Sequence, residues 1–125
     1  MPVRVELVAD AVADLENIAA SGNLRQFLVK LVRLEAVGKD AGEPLRFELT
    51  GLRKIVVGDR NWRIIFKMST DDTVATVWVI GDRDDSACYA EAVRRLREVE
   101  NSQPEIHGFA GVVLSVLDQR KQKKR

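Results

Sequence analysis

The stretch "NWRIIFKMSTDDTVATVWVIGDRDDSACYAEAVRRL" (Asn61–Leu96) decides the fold, because it holds two strand-like runs followed by a helical one. The runs "WRIIFKM" (Trp62–Met68) and "TVATVWVI" (Thr73–Ile80) are rich in β-branched and aromatic residues, as strands are. The polar connection between them, "STDD", has the length of a β-hairpin loop. The segment "DDSACYAEAVRRLREVE" (Asp84–Glu100) then spaces its apolar residues as a helix does. The stretch predicts an antiparallel hairpin followed by a helix.

Further strands precede this hairpin. "RKIVV" (Arg53–Val57) is joined to it by the short polar segment "GDRN", so three strands should form an antiparallel meander. "LRFEL" (Leu45–Leu49) and "VRVELV" (Val3–Val8) alternate apolar and charged residues, which is the period of a half-buried strand.

Helical patterns fill the remaining segments. Asp10 is a good N-cap for a first helix, and Asn23 can cap a second one that ends at Gly38. Pro104 is predicted to open a last helix that runs through Leu117. The order β-α-α-(β)-β-β-β-α-α predicts an α+β domain, in which an antiparallel meander is packed by an N-terminal helical hairpin and by C-terminal helices.

Length and composition limit the class of protein. At 125 residues and 14.0 kDa, with 46% apolar and 31% charged residues, the chain should fold as one globular domain. Cys88 is the only cysteine, so no internal disulfide is expected and a reducing compartment is compatible. The N-terminus lacks the apolar core of a signal peptide, and no apolar run approaches the ~20 residues that span a bilayer. We expect a cytosolic protein without membrane contact.

The positive charge is concentrated at the C-terminus. The formal net charge is +1, but residues 101–125 hold five Lys or Arg against two Asp or Glu. The block "DQRKQKKR" (Asp118–Arg125) is either a solvated terminus or an electrostatic contact for nucleic acid.

The sequence predicts neither a metal site nor a cofactor site. His107 and Cys88 are the only residues of their kinds and are 19 positions apart, so they cannot build a zinc site. The glycines occur singly, so phosphate-loop and dinucleotide fingerprints are absent. His107 is expected to be an ordinary surface or boundary residue.

Two arginines and one tyrosine can converge on a single hollow. Arg63 lies within a strand, Arg83 follows the next strand, and Tyr89 falls in the first turn of the helix after it. Guanidinium groups suit bidentate binding of phosphate. Each residue also has a structural explanation, since Arg63 can face solvent, Arg83 can neutralise neighbouring aspartates, and Tyr89 can pack against the sheet.

The ordered combination Trp62-Arg63-Ile64, Ile80-Gly81-Asp82-Arg83, Tyr89 and Ala92-Val93-Arg94-Arg95-Leu96 resembles the RelE/ParE superfamily of toxins from bacterial type II toxin–antitoxin modules. The resemblance covers roughly residues 3–97. We therefore predict a toxin domain over residues 1–100 and a helical extension with a basic tail over residues 101–125.

The resemblance implies a metal-independent endoribonuclease that cleaves mRNA in the ribosomal A site. In the implied reaction, the mRNA 2′-hydroxyl attacks the adjacent phosphate, which leaves a 2′,3′-cyclic phosphate and a 5′-hydroxyl. Arg63 and Arg83 would stabilise charge on the phosphate, Tyr89 would stack on a base, and Lys54 matches a strand lysine of RelE-type enzymes. Further basic residues that could bind RNA are Arg53, Arg60, Lys67, Lys121, Lys123 and Lys124.

The partners that the resemblance implies are a small, acidic RelB-like antitoxin, the ribosome and mRNA. An exposed antitoxin-binding surface can also form a homodimer when the antitoxin is absent. No cofactor is implied.

Departures from the RelE pattern keep two other hypotheses open. A second strand lysine of RelE is replaced by Val56, and Asp82, Asp84 and Asp85 surround Arg83 where RelE-type sequences are basic. The first alternative is a ParE-like toxin, which binds DNA gyrase without catalysis. The second is a non-toxic binding module. Its interaction surface would be the last helix and the tail. The apolar residues of this segment either dock on the core or contact a partner: Ile106, Phe109, Val112, Val113, Val116 and Leu117.

Overall fold

A computed structural model describes residues 2–44, 52–58, 62–81, 85–99 and 105–123. Its elements are β1 (Arg4–Val8), α1 (Ala9–Ala20), α2 (Leu24–Val37), a 3₁₀ turn (Gly38–Ala41), β2 (Glu43–Pro44), β3 (Leu52–Val57), β4 (Trp62–Met68), β5 (Val74–Gly81), α3 (Asp85–Val99), β6 (Ile106–Gly108) and α4 (Phe109–Lys123). No helix within these ranges is both long enough and apolar enough to cross a membrane.

The described strands form one six-stranded sheet in the order β2-β3-β4-β5-β1-β6. Strands β2 to β5 are antiparallel, so the predicted α+β fold with its meander is confirmed. The predicted strand Leu45–Leu49 lies outside the described residues. β1 runs parallel to β5, with Arg4 opposite Val74. Residue alternation specifies which side chains share a face but not the neighbouring strand or its direction, so the parallel pair was not predicted.

The helical hairpin packs on the sheet through its apolar side chains. Leu15 and Ile18 of α1 and Phe27 of α2 are buried. The Phe27 ring meets the Trp62 ring edge-on, with 5.5 Å between the centroids. This geometry is a favourable aromatic arrangement, and it joins α2 to the first residue of β4.

One of the two predicted N-cap residues occupies its cap position, and neither helix has a side-chain cap hydrogen bond. The prediction that Asp10 caps α1 is wrong, because the helix begins at Ala9 directly after β1 and the N-cap position is Val8. The Ala9 N–H instead donates to the carbonyl of Glu105 (3.0 Å), just before β6. Asn23 does occupy the N-cap of α2, but its side-chain amide donates to Ser21 Oγ (3.0 Å).

The C-terminal segment differs most from its prediction. The sequence predicts a helix that opens at Pro104, but residues 106–108 form β6, an antiparallel edge strand beside β1. A strand of three residues is too short to show a period of two, so the sequence pattern did not separate it from the helix. α4 then extends to Lys123 and buries Phe109, Val112 and Val116 against the core.

A buried arginine holds α3 against the sheet. β1 pairs with β5 only as far as Val77, so the β5 backbone beyond that residue needs other partners. Arg95 Nη1 donates to the Trp78 carbonyl (2.7 Å) and to Asp14 Oδ2 (2.8 Å), and Asp14 Oδ2 accepts the Ile80 N–H (3.0 Å). Burial of Arg95 opposes its charged form, but the hydrogen bond and charge of Asp14 outweigh burial and raise the pKa of Arg95.

The connection between β4 and β5 is organised by one carboxylate. Asp71 Oδ1 accepts hydrogen bonds from Ser69 Oγ (2.7 Å), Thr73 Oγ1 (2.7 Å) and the Thr73 N–H (3.2 Å). The bonds from Thr73 and Ser69 lower the pKa of Asp71 from 3.8 to about 2. The next residue, Asp72, has a φ of 58°, a left-handed conformation that aspartate tolerates better than most residues.

We expect Arg95→Ala to lower the free energy of unfolding by about 3–5 kcal/mol, because it leaves a buried carboxylate and a backbone carbonyl without their partner. Arg94→Ala is the matched control. Arg94 is the neighbouring arginine, but its exposed side chain binds only Glu91 and Glu98 among the described residues, so its loss should destabilise the fold far less. Urea denaturation of both variants measures the difference, and equal losses would contradict the assigned role of Arg95.

We expect Asp71→Asn to remove part of the acid sensitivity of the fold. The folded-state pKa of Asp71, about 2, lies below the unfolded value of 3.8, so ionised Asp71 stabilises the fold above pH ~4. That contribution is lost as the pH falls from about 4 to 2. Melting temperatures measured across this range should therefore converge for the wild type and Asp71→Asn at low pH. Parallel curves would show that the turn does not depend on the carboxylate.

Candidate functional site

Lys54 and Arg63 lie on the same face of the sheet. In the β3–β4 register, Val56 is directly opposite Arg63, and Lys54 is two residues from Val56 on the same strand. Residues in this diagonal relation have α-carbons about 7–8 Å apart. Both side chains are partly buried, and Lys54 Nζ lies 3.8 Å from Glu43 Oε1. Two of the predicted catalytic cations are thus brought together by strand pairing.

The N-terminal half of α3 lies beside Arg63. On the other side of β4, the residue opposite Arg63 is Gly81, the last residue of β5. A β-carbon placed on Gly81 would lie 3.8 Å from Cys88 Sγ, so this part of α3 lies close to the end of β5. Tyr89 follows Cys88 and packs, partly buried, against the core.

The other predicted site residues are dispersed or not described. Arg83, Arg60 and Lys124 lie outside the described residues, as do the side chains of Lys121 and Lys123.

Two residues predicted to bind RNA differ in their surroundings. Lys67 is exposed on the same sheet face as Arg63. Arg53 lies on the opposite face, where Nε donates to the Lys39 carbonyl and Nη2 to the Gly42 carbonyl, both at 3.1 Å. Arg53 therefore ties the segment before β2 to β3.

A cavity of about 350 Å³ lies between α1, α3 and the end of the β4–β5 pair. Its apolar wall includes Trp62 and Ile18, and its polar wall includes Asp14, Asn17 and Arg95. The full lining is Asp14, Asn17, Ile18, Ser21, Trp62, Val79, Ile80, Gly81, Cys88, Glu91 and Arg95. The cavity adjoins Arg63, because Trp62 precedes it in β4 and Gly81 lies opposite it in β5.

The polar wall of this cavity is preorganised by ion pairs. Arg95 Nη2 lies 3.2 Å from Glu91 Oε2 and also donates to Asp14 Oδ1 at 3.2 Å. The hydrogen bond from Arg94 lowers the pKa of Glu91, and the charge of Arg95 adds to that effect although burial opposes it. The Glu91 carboxylate is therefore ionised at neutral pH, and the guanidinium of Arg95 holds it in place.

Sequence reasoning missed the cavity and its buried ion pair. In the sequence, Arg95 was noted only as part of the segment Ala92–Leu96 that resembles the toxins. In the structure it shares the buried face of α3 with Cys88 and Ala92. The spacing 88, 92, 95 is that of one helix face. An arginine on the same face as two apolar residues is a pattern that indicates a buried charge. Its partner Asp14 is 81 positions away and carries no such signal. Within the described ranges, no group of three or more side chains is suited to hold a metal ion.

The sequence matches no protein-family model and no curated protein. Solved structures do match. A mutant of the E. coli toxin RelE in the free state has a TM-score of 0.61 at 22% identity, covering 76% of this chain and 98% of that one. The toxin–antitoxin complex RelBE2 from Mycobacterium tuberculosis gives 0.54 at 19% identity, covering 66% and 100%.

A ParE-type structure matches as well. The chromosomal ParDE toxin–antitoxin system from P. aeruginosa gives a TM-score of 0.52 at 15% identity, covering 66% of this chain and 97% of that one. The chain therefore has the fold of the RelE and ParE toxins.

Proposed function

We propose that this protein is the toxin of a type II toxin–antitoxin module and that it cleaves mRNA by metal-independent phosphoryl transfer. The observation that carries the proposal is the arrangement of Lys54 and Arg63 on one sheet face, with Gly81, the β5 residue opposite Arg63, close to Cys88 in the first part of α3. The fold shared with RelE supports the same class of protein.

The proposed reaction needs cations where charge develops. The ribose 2′-oxygen forms a bond to the adjacent phosphorus while the bond to the 5′-oxygen breaks, which leaves a 2′,3′-cyclic phosphate and a 5′-hydroxyl. Arg63 and Arg83 would donate hydrogen bonds to the phosphate oxygens as their charge rises. Lys54 would add positive charge from the neighbouring strand, and Tyr89 would stack on a base of the codon. Preorganised donors of this kind act mainly by electrostatic stabilisation of the transition state.

The proposed partners follow from the same assignment. A small, acidic, RelB-like antitoxin would neutralise the toxin, and translating ribosomes would present the mRNA. Solved relatives of this fold include the toxin–antitoxin complex RelBE2, which supports a proteinaceous antitoxin.

A second candidate function is ParE-like binding of DNA gyrase without catalysis. Val56 lies directly opposite Arg63 and is apolar, whereas RelE-type enzymes carry a second lysine at this position of the strand. The aspartates at 82, 84 and 85 in the sequence would also weaken RNA binding next to Arg83. The ParDE match is compatible with this candidate.

We expect Arg63→Ala and Arg83→Ala each to lower the rate of mRNA cleavage by on the order of 10²–10³, because each removes a donor to the charged phosphate. Arg97→Ala is the matched control, an exposed arginine on α3 outside the candidate site. Primer extension on cellular mRNA after induction detects the cleavage sites. Growth arrest that persists in both site variants, without new mRNA 5′ ends, would support the gyrase candidate instead.

We also expect deletion of residues 119–125 to weaken RNA binding and to reduce its salt dependence. The deletion removes five Lys or Arg but keeps the buried Val116 of α4. The slope of log K against log salt should become shallower by about 0.7 for each phosphate of single-stranded RNA that the tail neutralises. The double variant Gln119→Ala/Gln122→Ala keeps the tail charge and serves as the control. An unchanged slope after deletion would exclude the tail from RNA binding.

A further inference from the structure

We propose that the cavity between α1, α3 and the β4–β5 end is a nucleobase pocket, which takes a base next to the scissile phosphate of the RNA. The inference deepens the proposed function and rests on it for the identity of the ligand. It assigns to the cavity a preference for bases that carry an exocyclic amino group.

The position of the cavity fits a base whose phosphate contacts Arg63. Trp62 opens β4 and Gly81 closes β5, so the cavity lies at the end of the sheet rather than under its middle. Side chains alternate along a strand, so Arg63 and Trp62 project to opposite faces from adjacent positions. An RNA strand that passes over Arg63 therefore reaches the cavity by turning around this end of the sheet.

The lining provides what base recognition needs. The Trp62 ring and Ile18 give an apolar, partly aromatic surface for the flat face of a base. Asn17 is exposed at the rim, and its side-chain amide makes no hydrogen bond within the described part of the chain. A volume of about 350 Å³ is within the range of small-ligand pockets.

The acceptors in the polar wall give the cavity its selectivity. Asp14 and Glu91 are about 80% buried, with side-chain exposures of 20% and 21%, and Arg95 fixes the orientation of both. A carboxylate accepts hydrogen bonds from the amino groups of adenine, cytosine and guanine. Uracil has no amino group, and its single ring N–H lies between two carbonyl oxygens that the carboxylates repel. The cavity should therefore discriminate against uracil.

The same wall could also accept a basic side chain from a protein partner. The cavity volume and the Trp62 ring in its wall favour a flat base over the narrow aliphatic chain of an arginine or lysine. The position beside Arg63 also links the cavity to the proposed phosphate contact, which a protein side chain would not require.

Titration with the four nucleoside 5′-monophosphates tests the inference without requiring cleavage. The chain has two tryptophans. Trp62 lines the cavity, whereas Trp78 is buried and is not part of the lining. We expect AMP, CMP and GMP to shift the indole N–H resonance of Trp62 but not that of Trp78, with about tenfold tighter binding than UMP. The absence of any Trp62 shift, or equal affinity for all four nucleotides, would overturn the proposal.

Asn17→Phe and Ala20→Phe form a matched pair of variants. Both place the same ring on an exposed position of α1, but only residue 17 lines the cavity. Asn17→Phe should abolish the nucleotide-induced shift and flatten the base preference of RNA cleavage, whereas Ala20→Phe should change neither. Loss in both variants, or in neither, would count against the pocket.

The two proposals fail in distinguishable ways. Nucleotide binding at Trp62 in a protein that cleaves no RNA would overturn the nuclease assignment and leave the pocket standing. Cleavage whose base preference survives Asn17→Phe would overturn the pocket and leave the nuclease assignment standing. A Trp62 shift caused by an arginine-containing peptide, but by no nucleotide, would show that the cavity receives a protein partner.

Discussion

The contact between Arg95, Asp14 and the β5 backbone determines how the rest of the molecule is arranged. β5 extends beyond the last residue of β1 with which it pairs, so its polar backbone groups at Trp78 and Ile80 would be buried without partners. A guanidinium from α3 and a carboxylate from α1 satisfy both groups. Because each of the three elements contributes one part, none can shift without leaving a buried polar group unpaired.

This contact also shapes the end of the sheet that carries the candidate site. It holds α3 near the end of β5, where Cys88 lies close to Gly81, the residue opposite Arg63 in the strand pair. The space that remains between α1 and α3 is the 350 Å³ cavity. A charge pair that stabilises the fold thereby forms one wall of the proposed base pocket.

The C-terminal segment covers one edge of β1. The solved RelE and ParE chains are covered almost completely, whereas about a quarter to a third of this chain lies beyond each match. In this protein, β6 lies against the edge of β1, and α4 buries three apolar side chains while Leu114 stays 66% exposed. The edge of β1 is thus protected by the chain itself, which removes one site of strand-to-strand association.

The sequence by itself determined the meander, the helical hairpin and the resemblance to the toxins, because these depend on local periodicity and on residues close together in the chain. It also indicated that Arg63 and Lys54 belong to strands and therefore to definite sheet faces. Only the tertiary structure decided that β1 lies parallel to β5, that residues 106–108 form a strand, and that Asp14 meets Arg95 across 81 positions. These contacts join residues far apart in the chain, so they depend on how the elements pack together, and no local pattern records that.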